Sequence, residues 1–287
     1  MGMVKTVGLV LHPQRDSKVA IDTIVEWARG RDVTVMGLPD EVGRIDCSAV
    51  PVDTDTLIER ADLLVSLGGD GTMLRTMRLI SGRKTPVLGV NLGKLGFLAE
   101  IDIDELPPAL SAIDNHDYTV EPRMAVCVTL PDGTMMTAFN DIALVRIPGD
   151  GLSAVAITVE GHPFVRYAAD AVIVATPTGS TAYSFSAGGP IVSPNVEGFL
   201  VVPAAAHSSF NRAIVLSADE RVALELLPTS GRLAVEVDGA VRAHLSSGDE
   251  LTVTAMRAAA WVVRLGTTSF YERARRKLRV NGSAEVD

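Results

Sequence analysis

An α/β first half on a parallel, doubly wound sheet, followed by a β-rich, sandwich-like second half, is the fold class this sequence predicts. Three observations carry that reading. Over the first hundred residues, short apolar runs alternate with segments of helical spacing. Near residue 101 the period changes to short strands separated by turn residues. Between the apolar run Leu63–Leu67 and a helical segment sits Gly68-Gly69-Asp70-Gly71-Thr72, a strand–turn–helix join of the kind on which parallel sheets bind ligands.

Each element follows in order. Val7 to Leu11 is a continuous apolar run, as a strand covered on both faces requires. Ile21, Ile24, Val25 and Ala28 recur at helical spacing, with Gly30 as the expected C-cap. Val33 to Leu38 predicts a second strand, Asp53 the cap of a short helix through Arg60, and Leu63 to Leu67 a third strand. A helix from Met73 to Ile80 follows the glycine cluster. Pro86 to Val90 predicts a fourth strand, running into Asn91-Leu92-Gly93-Lys94-Leu95-Gly96-Phe97-Leu98. Asp104 to Ile113 predicts a helix, its Pro107-Pro108 tolerable only in the first turn. Beyond Tyr118, strands are expected over Arg123–Leu130, Ala154–Val159, Ala171–Ala175, Ala234–Val237 and Leu251–Ala255. Turns are expected at Asp132-Gly133, Gly149-Asp150-Gly151, Gly161-His162-Pro163 and Asp238-Gly239. The basic amphipathic tail Phe270 to Arg279 is expected to pack back on the first domain. The predicted domains are 1–103, joined by the tail 268–287, and 104–267.

Composition narrows the function classes. The chain has 287 residues, enough for one large domain or two ordinary ones, and its 47% hydrophobic content supplies a real core. A formal net charge of −9 disfavours nucleic acid and anionic membranes as partners, so an anionic ligand must be met by local groups. The two cysteines, Cys47 and Cys127, show no metal spacing and predict buried spectator thiols. No apolar stretch is long enough to span a bilayer and no signal segment precedes the first strand, so a cytoplasmic protein is expected.

The glycine cluster carries the chemistry. Glycines let backbone N–H groups approach an anion at a helix start. A carboxylate in such a cradle suits the orientation or deprotonation of a hydroxyl during phosphoryl transfer, with Asp70 as the base. The pattern is neither a Walker loop nor a G-x-G-x-x-G fingerprint. A second cluster runs from Asp170 through Thr176-Pro177-Thr178-Gly179-Ser180-Thr181-Ala182-Tyr183-Ser184-Phe185-Ser186 to Pro190. Its hydroxyls and free N–H groups suit a ligand with many acceptors.

With Asn91–Leu98 and Asn140-Asp141 between them, these clusters resemble those of the NAD kinases, which phosphorylate NAD to NADP. The likeness spans most of the chain. It implies that Asp70 takes the proton from the 2′-hydroxyl of the adenosine ribose, with Gly71 at the NAD diphosphate and Arg75 able to meet phosphate. It assigns Asn140 and Asp141 to the nucleoside, Asp170 to the dinucleotide, often across a subunit boundary, and Thr181, Ala182, Tyr183, Ser184, Phe185 and Ser186 to the base and ribose. His207 would lie near the phosphate end. The implied partners are NAD and ATP or polyphosphate, with Mg²⁺ or another divalent cation arriving on the donor and no metal held by the protein alone. A homodimer or homotetramer is implied as well. Four positions depart from the common family form: Asp141 in place of glutamate, Ala171 after Asp170 in place of glycine, Ala240 after Asp238-Gly239, and Ala204-Ala205-Ala206 before His207. Any positive φ at Ala171 would be strained. The alternatives are a kinase for another hydroxyl compound, lipid or sugar, and a non-catalytic dinucleotide-binding sensor.

Overall fold

The division between the two halves falls later than the change of period suggests. The computed structural model describes residues 4–93, 96–207, 209–266 and 268–279. Its two units comprise residues 1–122 with 260–287, and residues 123–259. The boundaries expected at 103/104 and 267/268 thus move to 122/123 and 259/260.

The first unit alternates strand and helix: β1 (Thr6–Leu11), α1 (Lys18–Ala28), β2 (Thr34–Gly37), α2 (Pro39–Val42), β3 (Val50–Pro51), α3 (Thr54–Arg60), β4 (Leu63–Gly68), α4 (Asp70–Leu79), β5 (Pro86–Asn91), β6 (Ile101–Asp102) and α5 (Leu106–Asp114). The strands lie in the order β3-β2-β1-β4-β5, all parallel, with β6 beside β5. The chain order reverses between β1 and β4, which makes that gap the topological switch point. Every residue of β4 and β5 is buried, because helices cover both faces. Asp53 caps α3 as expected, its Oδ1 accepting the Thr56 N–H at 2.8 Å. α1 ends at Arg29, whose N–H donates to Val25 and Glu26, and Gly30 follows at φ +75°. The Pro107-Pro108 pair sits at the start of α5. That helix binds the first unit, which moves the first boundary: Leu106, Leu110 and Ile113 share a core with Ile21 and Ile24, and Trp27 Nε1 donates to Asp114 Oδ2 at 3.0 Å.

The second unit consists of β7 (Thr119–Thr129, whose first residues belong to the first unit), β8 (Met135–Ala138), β9 (Asp141–Arg146), β10 (Ser153–Val159), β11 (His162–Ala169), β12 (Ala171–Ala175), α6 (Tyr183–Ser186), β13 (Gly198–Ala204), β14 (Ile214–Ser217), β15 (Val222–Leu226), β16 (Leu233–Val237), β17 (Ala240–Leu245) and most of β18 (Glu250–Arg264). One antiparallel sheet runs β14-β13-β12-β9-β16-β17, and β8-β7-β18-β15-β10-β11 form the other. Val126, Leu144, Val174, Val201 and Val235 meet Val155, Leu224 and Leu251 in a single core, the sandwich the sequence predicts. β12 is buried on both faces. Val172 and Val174 enter that core, while Ala171, Ile173 and Ala175 face a second cluster with Leu200 and Tyr183.

Two expectations fail locally. The turn placed at Gly161-His162-Pro163 is Glu160-Gly161, both at positive φ, and His162-Pro163 belong to the edge strand β11. Pro163 is tolerated there because β11 has a neighbour on one side only and β10 bulges at Ile157/Thr158. Ala171 opens β12 without positive φ, so it carries no strain. Cys127 is buried but Cys47 only partly so, and both are free thiols.

The chain then returns to the first unit. Trp261 and Val262 of β18 pair in parallel with Pro86 and Val87, and α7 (Phe270–Leu278) follows behind the Ser269 cap. Arg273 of α7 donates to the Ala99 carbonyl and, at 2.5 Å, to Glu100 Oε2, which also pairs with Arg264 at 2.7 Å. Glu100 Oε1 accepts the Leu265 N–H at 2.9 Å. The tail therefore packs on the first unit as predicted, anchored by a buried charge cluster. Among the described residues no helix is long and apolar enough to cross a membrane.

Candidate active site

The carboxylate of Asp70 is fixed from two directions. Gly69 caps α4, and Asp70 is the first residue of the helix. Its Oδ2 accepts the Phe97 N–H at 2.9 Å and its Oδ1 the Leu98 N–H at 3.0 Å. A side chain at Gly96 would overlap Asp70 Oδ1, so glycine is needed where that loop passes. An ionised carboxylate offers about four lone-pair directions. Two remain after the backbone bonds, and the group is only half-buried. Asn91, by contrast, is committed to structure: its side-chain amide donates to the Gly93 carbonyl and to Asp102 Oδ1, both at 2.7 Å. Lys94 and Leu95 of the same stretch lie outside the described residues.

A cleft of about 460 Å³ opens beside the helix start. His12, Arg15, Arg75 and Arg78 line it together with Gly69 and Gly71. It stands beyond the carboxyl ends of β1 and β4, at the switch point. Three guanidinium groups and the N-terminus of the ten-residue α4 give it a positive field in an acidic chain. His12 Nδ1 accepts the N–H groups of Gln14 and Arg15, each at 3.1 Å. Burial, with the charges of Arg15, Arg75 and Arg44, holds this imidazole below its usual pKa, so the neutral form with hydrogen on Nε2 is favoured. Arg75 reaches the cleft, yet part of its fork is committed elsewhere. Nη1 pairs with buried Glu41 at 2.5 Å and Nη2 donates to the Leu11 carbonyl at 2.6 Å. Glu41 Oε2 in turn accepts the Leu11 N–H at 2.6 Å. His12, Arg15 and Arg78 were not singled out by the sequence reading. Their signal is position, since His12 and Arg15 directly follow the strand beside the glycine turn.

In the second unit Asn140 and Asp141 are set by Asp238. Its carboxylate accepts the N–H groups of Phe139, Asn140 and Asp141 at 3.3, 2.7 and 3.3 Å. Asp238 and Gly239 both have positive φ, which makes the β16–β17 connection a two-residue turn of type I′. The Asn140 carbonyl accepts the Thr176 N–H at 2.9 Å, and a side chain at Gly179 would overlap that same carbonyl. Thr176 Oγ1 donates to Phe139 and accepts the Gly179 N–H at 3.0 Å. These bonds hold the segment carrying Thr181, Ala182 and Tyr183 against Asn140. The Tyr183 backbone N–H lies near the Asp141 carboxylate and favours its charged form, the weakest of the influences on it. Burial, then the charges of Asp238 and Glu236, push its pKa up to about 7. Burial and the acids Glu236, Asp141 and Asp170 likewise raise the Tyr183 phenol. Asp141, Tyr183 and Asp170 thus lie within electrostatic reach of one another, together with Glu236, which the sequence reading did not name, and Asp238, which it read only as part of a turn.

Asp170 is paired with Arg146 at 2.6 Å. Ser184 is buried with an unpartnered hydroxyl, so it faces inward, while Phe185 and Ser186 are exposed. His207 is exposed and donates its backbone N–H to the Ala168 carbonyl at 2.7 Å. Among the described residues no side-chain bond ties it to Asp141 or Tyr183.

A doubly wound unit with an acid in its anion cradle, continued by a β-sandwich with a hydroxyl-rich loop, defines a nucleotide-handling type of protein. Residues 7–118 match the ATP-NAD kinase N-terminal domain and residues 139–265 the ATP-NAD kinase C-terminal domain. The NAD kinase of Moorella thermoacetica is 35% identical over 99% of this chain and 92% of its own length. NAD kinase 1 of Streptomyces avermitilis is 36% identical over 96% and 87%. The yeast NADH kinase solved with NADH superposes with a TM-score of 0.88 at 27% identity, covering 100% of this chain and 91% of that one. The Archaeoglobus fulgidus NAD kinase solved with ATP gives 0.74 at 25% identity, covering 96% and 100%. The chain belongs to the ATP-NAD kinase family.

Proposed function

We propose that this protein transfers the terminal phosphoryl group of ATP to the 2′-hydroxyl of the adenosine ribose of NAD, giving NADP. The observation that carries the reading is Asp70: a carboxylate fixed by two N–H groups, with lone pairs to spare, at a helix N-terminus beside a cationic cleft. An alcohol is a weak nucleophile at neutral pH, and an acceptor at its proton both orients it and takes the proton as its oxygen bonds to the terminal phosphorus and the bond from that phosphorus to the bridging oxygen breaks, releasing ADP. The cleft cations balance the phosphate charge that spreads in the transition state. Gly71 leaves the backbone accessible to a diphosphate. Asn140, Asp141, Asp170 and the Thr181–Ser186 segment are assigned the nucleoside of the acceptor, with His207 toward its phosphates. The donor enters as its complex with Mg²⁺ or another divalent cation, which screens its phosphates, and polyphosphate is an alternative donor. A cytoplasmic homodimer or homotetramer completes the proposal.

The test is NADP formation from NAD and magnesium–ATP, read by an NADP-specific dehydrogenase, with polyphosphate in a parallel arm. Asp70→Asn is expected to lower kcat at least about a hundredfold while leaving the Kd for NAD unchanged. Parallel loss of binding and rate would make Asp70 a structural group. No product with either donor would overturn the reading.

A further inference from the structure

The N–H groups of Phe97 and Leu98 that fix the Asp70 carboxylate belong to a run, 96–100, with no strand or helix of its own. The groups that hold this run come from β5 and from α7. The peptide joining Ala99 to Glu100 is pinned on both sides. Its N–H donates to the Gly89 carbonyl of β5 at 2.9 Å, and its carbonyl accepts Nη1 of Arg273 in α7. Nη2 of the same guanidinium donates to Glu100 Oε2 at 2.5 Å. Arg273, Ala99 and Glu100 are all buried, so these charge-assisted bonds are shielded from water. One turn further along α7, Lys277 places its ammonium 5.9 Å from the centre of the Phe97 ring. Positions 273 and 277 are four apart and share a helix face. On the β5 side, glycine permits the approach: a Cβ at Gly89 would lie 2.9 Å from the Ala99 Cα.

We infer that α7 aims the base: Arg273 and Lys277 are positioning residues for Asp70 and act through the run 96–100. The pinned peptide is one residue beyond Leu98, and peptide planes are rigid, so a shift of the Ala99 carbonyl is passed to the two N–H groups that hold the carboxylate. Misplacing a reacting group by about 1 Å can cost about a hundredfold in rate. Neutralising Glu100 needs only a cation, and Arg264 already supplies one at 2.7 Å. What Arg273 adds is the bond to the Ala99 carbonyl. A planar fork can bond a carbonyl and a carboxylate at once in fixed geometry, whereas a single ammonium on a flexible stem cannot.

This role rests on Asp70 being the base of the proposed reaction, and it has two readouts in the full-length protein. Arg273→Lys keeps a cation beside Glu100 and loses the fork. It is expected to lower kcat about tenfold, the scale of one lost hydrogen bond to a charged group, with KM for NAD and for magnesium–ATP within about twofold of the parent. In an Asp70→Asn background the same substitution is expected to change the residual turnover less than about twofold, because the group it acts through is gone. Lys277→Ala, at an exposed position where folding is not at stake, is expected to lower kcat about threefold. The second readout is amide hydrogen exchange, referred to the amides of β1. The Phe97 and Leu98 N–H groups are expected to exchange about tenfold faster in Arg273→Lys, and that of Phe97 about threefold faster in Lys277→Ala. Equal losses of kcat with and without Asp70 would make the arginine a purely structural group and overturn the assignment. Unchanged kcat, or unchanged exchange at Phe97 and Leu98, in both variants would overturn it too. Failure of the parent to form NADP would sink the proposed function instead, and exchange at the two amides would still decide whether α7 holds them.

Discussion

Asp141 has the most testable electrostatics in the molecule. Its folded pKa of about 7 lies above its ordinary value of 3.8. The folded state therefore binds more protons than the unfolded state between those limits, and this group's contribution to stability falls as pH rises from about 4 to about 7. Asp141→Asn keeps an acceptor near the Tyr183 N–H but removes the titration. Relative to the parent, its Tm is expected to rise as buffers go from pH 4.5 to 7.5, and identical profiles for the two proteins would refute the assignment. Gly179→Ala is expected to lower both Tm and NAD affinity, since its methyl meets the Asn140 carbonyl and must displace the loop. Asp70 was legible in the sequence because a carboxylate among glycines after an apolar run has few structural uses. Asp238 was read only as a turn residue, because a two-residue Asp-Gly hairpin is common and its three amide partners lie almost a hundred residues away. Arg75 was read as able to meet phosphate, and its pairing with Glu41, thirty-four positions earlier, was not legible.

The elements were more readable than their contacts. β1, β4, β5 and β12 announce themselves as unbroken apolar runs because both faces are covered. β11 and β13 were missed because each contains a proline, and prolines read as breaks. The first boundary was misplaced because α5 looks, by composition, like the start of something new, although its apolar face completes the core of α1. α7 offers the clearest test at this scale. Arg273 is only 2% exposed and Glu100 only 4%, so truncating the arginine leaves a buried carboxylate with Arg264 as its remaining cation. Arg273→Ala is expected to cost about 3 kcal/mol in chemical denaturation. A loss within experimental scatter would show that Arg264 alone suffices.

At the scale of the whole molecule the two units carry local charge of opposite sign: one gathers cations beside the helix that Asp70 opens, the other gathers acids around a tyrosine. Saturating NAD at about 100 Kd should stabilise the protein by about 2.7 kcal/mol, and Asp70→Asn should keep that shift in Tm while losing turnover. Loss of both together would tie Asp70 to the dinucleotide's ground state. One arrangement has a consequence in time. Residues 260–279, synthesised after the entire sandwich, supply the strand beside β5 and both arginines that neutralise Glu100. During translation the sandwich can close while the earlier half waits, its acid uncompensated and one sheet edge bare. The unit that begins first on the ribosome is the one that finishes last.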